Sequence, residues 1–374
     1  MKLTLQMQLL PTTEQAALLL ATMRAFNEAA TFAARLGFEA GVFSRPSLHK
    51  LAYYEIRERF GLSAQLAVHA IFKAADCFSR DKKICPVFRP DGAISYDPRN
   101  MSFKGLDKVS LSTLTGRELI GMVYGEHQAE RFDRIKGQCD LVRRDNKFFL
   151  LAMIDLPEPP VAKVKAFLGV DLGIVNIASD SEGEVHTGKK VQRNRRRRAT
   201  ARKQYQRRGT KSAKRRLKNM SGRQRRFQTI TNHCISKKLV ASAKALNVGI
   251  AMEDLTFIRD RIEDSVSRKQ RRSFGNWGFS QLRLFVEYKA RLAGIPVVIV
   301  DPRNTSRTCS DCGHCEKANR KSQTEFVCKR CGFSILADHN AALNISAIGL
   351  TAHNAALARA LGLPTNPAPK AAVA

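Results

Sequence analysis

Four cysteines stand in two matched knuckles, Cys309-Ser310-Asp311-Cys312-Gly313 and Cys328-Lys329-Arg330-Cys331-Gly332. Two residues between thiolates let both sulfurs turn toward one tetrahedral ion, and two such pairs make a four-cysteine zinc site. The glycine after each second cysteine permits the positive φ with which the backbone folds around the sulfur. Cys315 also lies three residues beyond Cys312, but only the Cys309 and Cys312 pair repeats the terminal glycine. His314 is the other substitute ligand. Four protein ligands leave no open position, so the expected Zn²⁺ is one structural ion that staples a short hairpin. Nine cysteines with this clustering point to a reducing compartment and a metal site, not a disulfide framework. Cys77, Cys85, Cys139 and Cys234 read as small buried apolar residues.

Three carboxylates carry a second chemistry. Asp171 ends the apolar run Phe167-Leu168-Gly169-Val170, and Glu253 ends Ala251-Met252. Asp338 opens a helical run, Asp338-His339-Asn340-Ala341-Ala342-Leu343-Asn344-Ile345. A lone carboxylate at a strand end is usually solvated; three around one basic unit are harder to dismiss. Converging carboxylates cannot all stay ionised without a cation between them. Mg²⁺ supplies that charge through oxygen ligands. Two ions roughly 4 Å apart clamp the attacking and leaving oxygens of a phosphodiester, so the expected reaction is metal-assisted hydrolysis of nucleic acid. Asp254 is the rival of Glu253, but strand neighbours point to opposite faces and only one of them faces the metals. Asp301 and Glu263 read as structural or solvated.

The charge balance names the partner class. Lys and Arg number 64 against 33 Asp and Glu, a net charge of +31, and apolar residues make up 44%. That apolar share excludes a wholly disordered polycation, and the excess charge calls for an anion. Nucleic acid is the natural one, with an acidic membrane surface as the competitor. Residues 189–226 hold 19 Lys or Arg and no Asp or Glu. Such a run grips phosphates and does not read bases. Its expected contacts are Arg195, Arg196, Arg197, Arg198, Arg202, Arg207, Arg208, Arg215 and Arg216. Tyr205 and Phe227 are candidate base-stacking residues, although Phe227 reads more readily as structural. There is no run of about 18 apolar residues, so no transmembrane helix is expected. The alternating start, Met1 to Gln8, reads as a strand and not as a signal peptide.

The elements that must position these groups form an α+β chain. Residues 1–10 predict a strand, and Thr12 with Gln15 makes a capping box before a helix over 14–36. Further helices are expected near 47–60 and 63–79, the latter opening at Ser63. Short period-two runs at 93–97, 101–104, 108–112 and 117–124 follow. Runs at 138–143 and 147–155 flank Arg144-Asp145-Asn146 as a hairpin. These strands, with the first, predict a small barrel or sheet into which the helices are inserted. Pro157, Pro159 and Pro160 mark a linker. Beyond it, strands are expected at 167–171, 174–179, 183–187, 248–252 and 296–300, with helices at 227–246 and 277–293. The Ala- and Pro-rich segment 351–374 reads as a disordered tail.

Taken in order, these residues resemble a known family. Gly169-Val170-Asp171-Leu172-Gly173, Glu253-Asp254-Leu255, Thr305-Ser306 before the four-cysteine ribbon, and the run from Asp338 to Ile345 look like the three RuvC motifs and zinc ribbon of TnpB proteins. TnpB proteins are encoded by insertion sequences and are similar to the nucleases of type V CRISPR systems. The resemblance covers about 166–346 and is looser before it. It implies an RNase H-like (RuvC) nuclease domain over 166–302 and 338–350, with the zinc ribbon at 303–337. It also implies a wedge-like β-barrel over 1–10 and 81–160 and a helical recognition lobe over 11–80. The implied activity is RNA-guided, Mg²⁺- or Mn²⁺-dependent cutting of double-stranded DNA beside a transposon-adjacent motif. The guide is an RNA from the transposon end, held one protein to one RNA in a prokaryotic cytoplasm at the nucleoid. Carried over residue by residue, Asp171, Glu253 and Asp338 are the catalytic metal ligands, and Cys309, Cys312, Cys328 and Cys331 the zinc ligands. A guided binder that no longer cuts, and a transposase or resolvase on the same core, are the alternatives.

Overall fold

The computed structural model describes residues 1–256, 278–322 and 324–361, and divides into two compact units, Met1–Pro157 and Glu158–Ala374. In the first, β1 (Lys2–Leu10) runs into α1 (Thr13–Glu39). The Thr12 hydroxyl accepts from the Gln15 amide while the Gln15 side chain accepts from the Thr12 amide, the expected capping box. Next come α2 (Arg45–Phe60) and α3 (Ala64–Phe78). Ser63 is the residue before α3, but its side chain makes no capping bond.

The strands β2 (Ile94–Tyr96), β3 (Met101–Lys104), β4 (Lys108–Thr113) and β5 (Gly116–Val123) follow. A short α4 (Glu126–Ala129), β6 (Ile135–Arg144) and β7 (Lys147–Asp155) complete the unit. The sheet is antiparallel throughout, in the order β2-β6-β7-β1-β5-β4-β3. The N-terminal strand thus sits inside the sheet, between β7 and β5. Asp145 and Asn146 both take positive φ, 49° and 61°, in the tight turn of the β6–β7 hairpin. The end strands β2 and β3 are consecutive in the chain, and no ladder joins them among the described residues, so the expected barrel is an open sheet by its pairing. Its inner face and the helices share one core, with Phe26, Met23, Leu66, Ile71, Leu111 and Leu150 fully buried.

The second unit is built on a mixed five-stranded sheet. Its strands and helices in chain order are β8 (Phe167–Asp171), β9 (Asn176–Asp180), β10 (Val185–Thr187), α5 (Lys189–Arg208) and α6 (Lys211–Leu246). After these come β11 (Gly249–Glu253), α7 (Phe279–Leu292), β12 (Val297–Val300), the small hairpin β13 (Glu325–Val327) with β14 (Ser334–Leu336), and α8 (Ala337–Ala360). The order is β10-β9-β8-β11-β12. β8, β9 and β10 form an antiparallel meander, and β11 runs parallel to both β8 and β12. β11 is buried along its whole length and β8 up to its final Asp171, so their sequences read as near-continuous apolar runs.

The two faces of that sheet are covered differently. Leu168, Val170, Ile250 and Met252 pack under α6 and α7 with Leu239, Leu282 and Val286. The opposite parity, Phe167 and Ala251, packs with Ile345 of α8. Gly169 lies beneath α8, where a Cβ would sit 1.9 Å from the Ala342 carbonyl oxygen. Only a glycine lets the helix backbone rest directly on the strand there.

Three expectations change. Helix α6 begins at Lys211, not 227, so the basic run is a helical hairpin. Helix α8 continues to Ala360, so 351–360 is not a disordered tail. Cys139 is buried as expected, but Cys234 is exposed and Cys77 and Cys85 are half-buried. Glu263 lies outside the described residues.

Candidate active site and metal centre

Strand parity brings the carboxylates together. Asp171 has the parity of Phe167 and Gly169, and Glu253 that of Ala251, so both point to the α8 face. In the parallel ladder Met252 pairs with Val170, which places Glu253 and Asp171 on the next rung at the ends of adjacent strands. Asp338 lies in the first turn of α8, the helix packed over these strands. Asp171 is the common neighbour. Burial, then the charges of Glu253 and Asp338, push its carboxyl up to about 8, with Arg320 opposing. Glu253 is 8% exposed. Burial raises its pKa too, against a Thr305 hydroxyl that donates to Oε1 at 2.6 Å and the charge of Arg320.

The rivals are elsewhere. Asp254 turns to the other side of the strand and pairs with Arg283 at 3.1 Å. Asp301 is exposed and accepts from the Arg303 amide, in keeping with a solvated role.

Several supporting groups have no counterpart in the sequence reading. Asn176 donates to Asp338 Oδ2 at 2.8 Å. Arg320, from the segment between the knuckles, reaches Asp338 Oδ1 at 3.5 Å. It therefore brings a positive charge to all three carboxylates. Asn340 and Asn344, one turn apart on α8, tie that helix to the loop before the first knuckle. Asn340 donates to the Thr308 carbonyl at 2.8 Å and accepts from the Ser310 amide. Asn344 donates to the carbonyls of Thr305 and Thr308 at 2.8 and 2.7 Å. Through Thr305 the same loop holds Glu253. Two buried asparagines at helical spacing were the available signal, because buried amides require partners.

The knuckles close around one point. The sulfurs of Cys309, Cys312, Cys328 and Cys331 all lie within 4.8 Å of one another. Cys309 and Cys331 are 3.8 Å apart, and Cys312 and Cys328 3.6 Å. Four sulfurs at about 2.3 Å from a tetrahedral ion would be roughly 3.8 Å apart, so the cluster fits such a metal. Gly313 and Gly332 take φ of 75° and 77°, and each donates its amide to the carbonyl of its knuckle's first cysteine at 3.0 Å. Cys315 is exposed and outside the cluster, and His314 faces Glu316 at 3.1 Å. Among the described residues this is the one His, Cys, Asp and Glu group so tightly gathered. The three carboxylates are set wider apart.

The basic residues named from the sequence lie on the hairpin. Arg195 to Arg208 are on α5, and Arg215 and Arg216 on α6. Arg195 donates to Gln228 at 3.1 Å, and Arg198 donates to Asn194 and to the Met220 carbonyl, tying the two helices.

Residues 143–256 match the family described as probable transposase, OrfB of IS605, and residues 279–345 match the Cas12f1-like TNB domain. A TnpB-like protein of Methanocaldococcus jannaschii is 38% identical over 129 residues, 34% of this chain and 45% of its own length. The chain is related to the TnpB family. It is also 41% identical over 121 residues to a CRISPR-associated endodeoxyribonuclease Cas12f1 of Sulfoacidibacillus thermotolerans, covering 32% of this chain and 27% of the relative. A Cas12f2 of a Micrarchaeota archaeon is 31% identical over 245 residues, 58% of this chain and 45% of the relative. This TnpB-related chain thus matches less than half the length of each. A solved structure described as a Cas12f1-sgRNA-target DNA complex aligns over 92% of this chain and 99% of its own at 18% identity, with a TM-score of 0.40.

Proposed function

We propose that the chain is an RNA-guided DNA endonuclease of a transposable element, with an RNase H-like (RuvC-type) nuclease unit. The observation that carries this reading is the placement of Asp171 and Glu253 at adjacent strand ends on the face covered by α8, whose first turn carries Asp338. The antiparallel meander followed by two parallel strands supports the fold assignment. Relatives named as TnpB-like protein and endodeoxyribonucleases support the reaction class. No helix among the described residues is long and apolar enough to cross a membrane, and the net charge of +31 favours polyanionic partners, a guide RNA and a double-stranded DNA target.

The donor set fits divalent magnesium. Three carboxylates offer hard oxygen ligands, and burial, then the charges of Glu253 and Asp338, raise Asp171 among them. Bound there, Mg²⁺ would polarise the scissile phosphate and activate a water. The chain's own groups do the positioning. Thr305 fixes the orientation of Glu253, and Asn176 that of Asp338. Arg320 adds a positive charge beside them. The four cysteines would hold a structural Zn²⁺ that keeps Arg320 and the Thr305 loop in place. The test is cleavage of a guide-matched duplex by the wild type and by Asp171→Asn in Mg²⁺. The reading requires cutting by the first and target binding without cutting by the second.

A further inference from the structure

Between α5 and α6 lies a cleft of about 700 Å³. Its walls carry Lys190, Arg193, Arg197, Arg216 and Arg223 and no carboxylate. Among the described residues none of these five forms an ion pair, so their charge faces the cleft unneutralised. Arg198 is different: Asn194 and the Met220 carbonyl hold it across the hairpin, where it fixes the spacing of the walls. Two aromatic rings mark the ends. Tyr205 lies 5.8 Å from the Arg216 guanidinium, and Phe227 sits beside Gln228, which Arg195 reaches from α5. With about 1.5 Å of rise per residue, Arg216 and Phe227 are roughly 16 Å apart along α6. Phe227 also packs on the core of the unit, whereas Tyr205 belongs to none of its hydrophobic clusters and is the ring available to a ligand.

These dimensions select the ligand. The cleft is too long for one base. About 700 Å³ is within the range of clefts that hold a small ligand, room for a short stretch of one strand and not for a duplex. The amides of Asn194 and Asn219 add hydrogen-bonding groups between the arginines. We infer that this cleft holds a short unpaired polynucleotide strand, with its phosphates on Arg193, Arg197, Arg216 and Arg223 and a base stacked on Tyr205. The inference deepens the RNA-guided reading, but needs neither metal nor cleavage.

The test is a binding titration of the full chain, stripped of copurified nucleic acid, in metal-free buffer. The probes are a short labelled strand that cannot pair with itself, made as RNA and as DNA, and a duplex of the same sequence. Tyr205→Ala should weaken single-strand binding by about tenfold, the scale of one lost base–aromatic stack, and leave duplex binding unchanged. Tyr205→Phe keeps the ring and should bind like the wild type, which also controls for folding. Arg197→Ala and Arg216→Ala should each lower the salt slope of single-strand binding by about 0.7. Whichever of RNA or DNA binds more tightly identifies the source of the strand. Equal losses on strand and duplex, or no loss in Tyr205→Ala, would overturn the inference. A failure of the nuclease reading would appear instead in Mg²⁺-dependent cleavage, which this titration does not contain.

Discussion

Replacing Asp171 with Asn should stabilise the magnesium-free protein while abolishing cleavage. The side chain keeps its shape and loses its charge. Asp171 is pushed up to about 8, by burial first and then by Glu253 and Asp338. A group raised above its unfolded value stabilises the fold fully only below the unfolded pKa, and that stability is lost as pH rises through the folded one. For Asp171 the window runs from near 4 to near 8. Glu253 is on the next strand at the same rung, about 5 Å away by the spacing of paired strands. At an effective dielectric of about 20, two unit charges at that distance repel by about 3 kcal/mol. Loss of the attraction between Asp171 and Arg320 returns part of it. Burial, the larger cause, adds to it, so a net gain of about 3–5 kcal/mol for Asn is expected above the window, or roughly 6–15 °C in a unit of this size. The assay is calorimetric melting in magnesium-free buffer without chelator, so that zinc is retained, at a pH below the window and one above it. Asn should gain little at the lower pH and the full amount at the higher one. Added Mg²⁺ should raise the wild-type midpoint and not that of the variant. A variant that melts at or below the wild type above the window, or a difference independent of pH, would refute the reasoning.

Other expectations follow from the packing around the site. Gly169→Ala places a Cβ 1.9 Å from the Ala342 carbonyl, so α8 must lift and carry Asp338 with it. Destabilisation of about 3 kcal/mol or more is expected by melting, with loss of cleavage. Asn344→Ala removes two hydrogen bonds and should cost about 1–3 kcal/mol, read by denaturant titration, because the Thr305 carbonyl loses its side-chain partner while Asn340 still holds that of Thr308. Cys328→Ser should release the metal, raise amide hydrogen exchange across 303–337 and slow cleavage through displaced Arg320 and Thr305. Unchanged exchange and cleavage would show that the ribbon does not support the site.

Much of this arrangement was legible because its signals are local. The capping box at Thr12 and Gln15, the hairpin turn at Asp145 and Asn146, and the repeated Cys-x-x-Cys-Gly knuckles each fit within a few residues. Asp171 and Glu253 stand out because a buried strand that ends in a carboxylate breaks its own apolar pattern. Helix α6 was under-read because Lys211 to Arg226 offer few apolar residues at helical spacing; that turn of the chain is fixed by pairing with α5, not by a core stripe. The end of α8 was masked by an Ala-rich composition that suits a helix as well as a tail. Arg320 and Asn176 could not be read at all. Their partner Asp338 is 18 and 162 residues away, and only the tertiary fold brings them to it.

RNA guidance is tested by isolating the protein with the RNA it carries, sequencing that RNA, and offering a duplex that matches its variable end. A guided nuclease yields one structured RNA species and Mg²⁺-dependent cutting of the matched duplex that RNase treatment abolishes. Heterogeneous or absent RNA, or cutting that survives RNase, would contradict the guided mechanism and favour a transposase or resolvase on the same core.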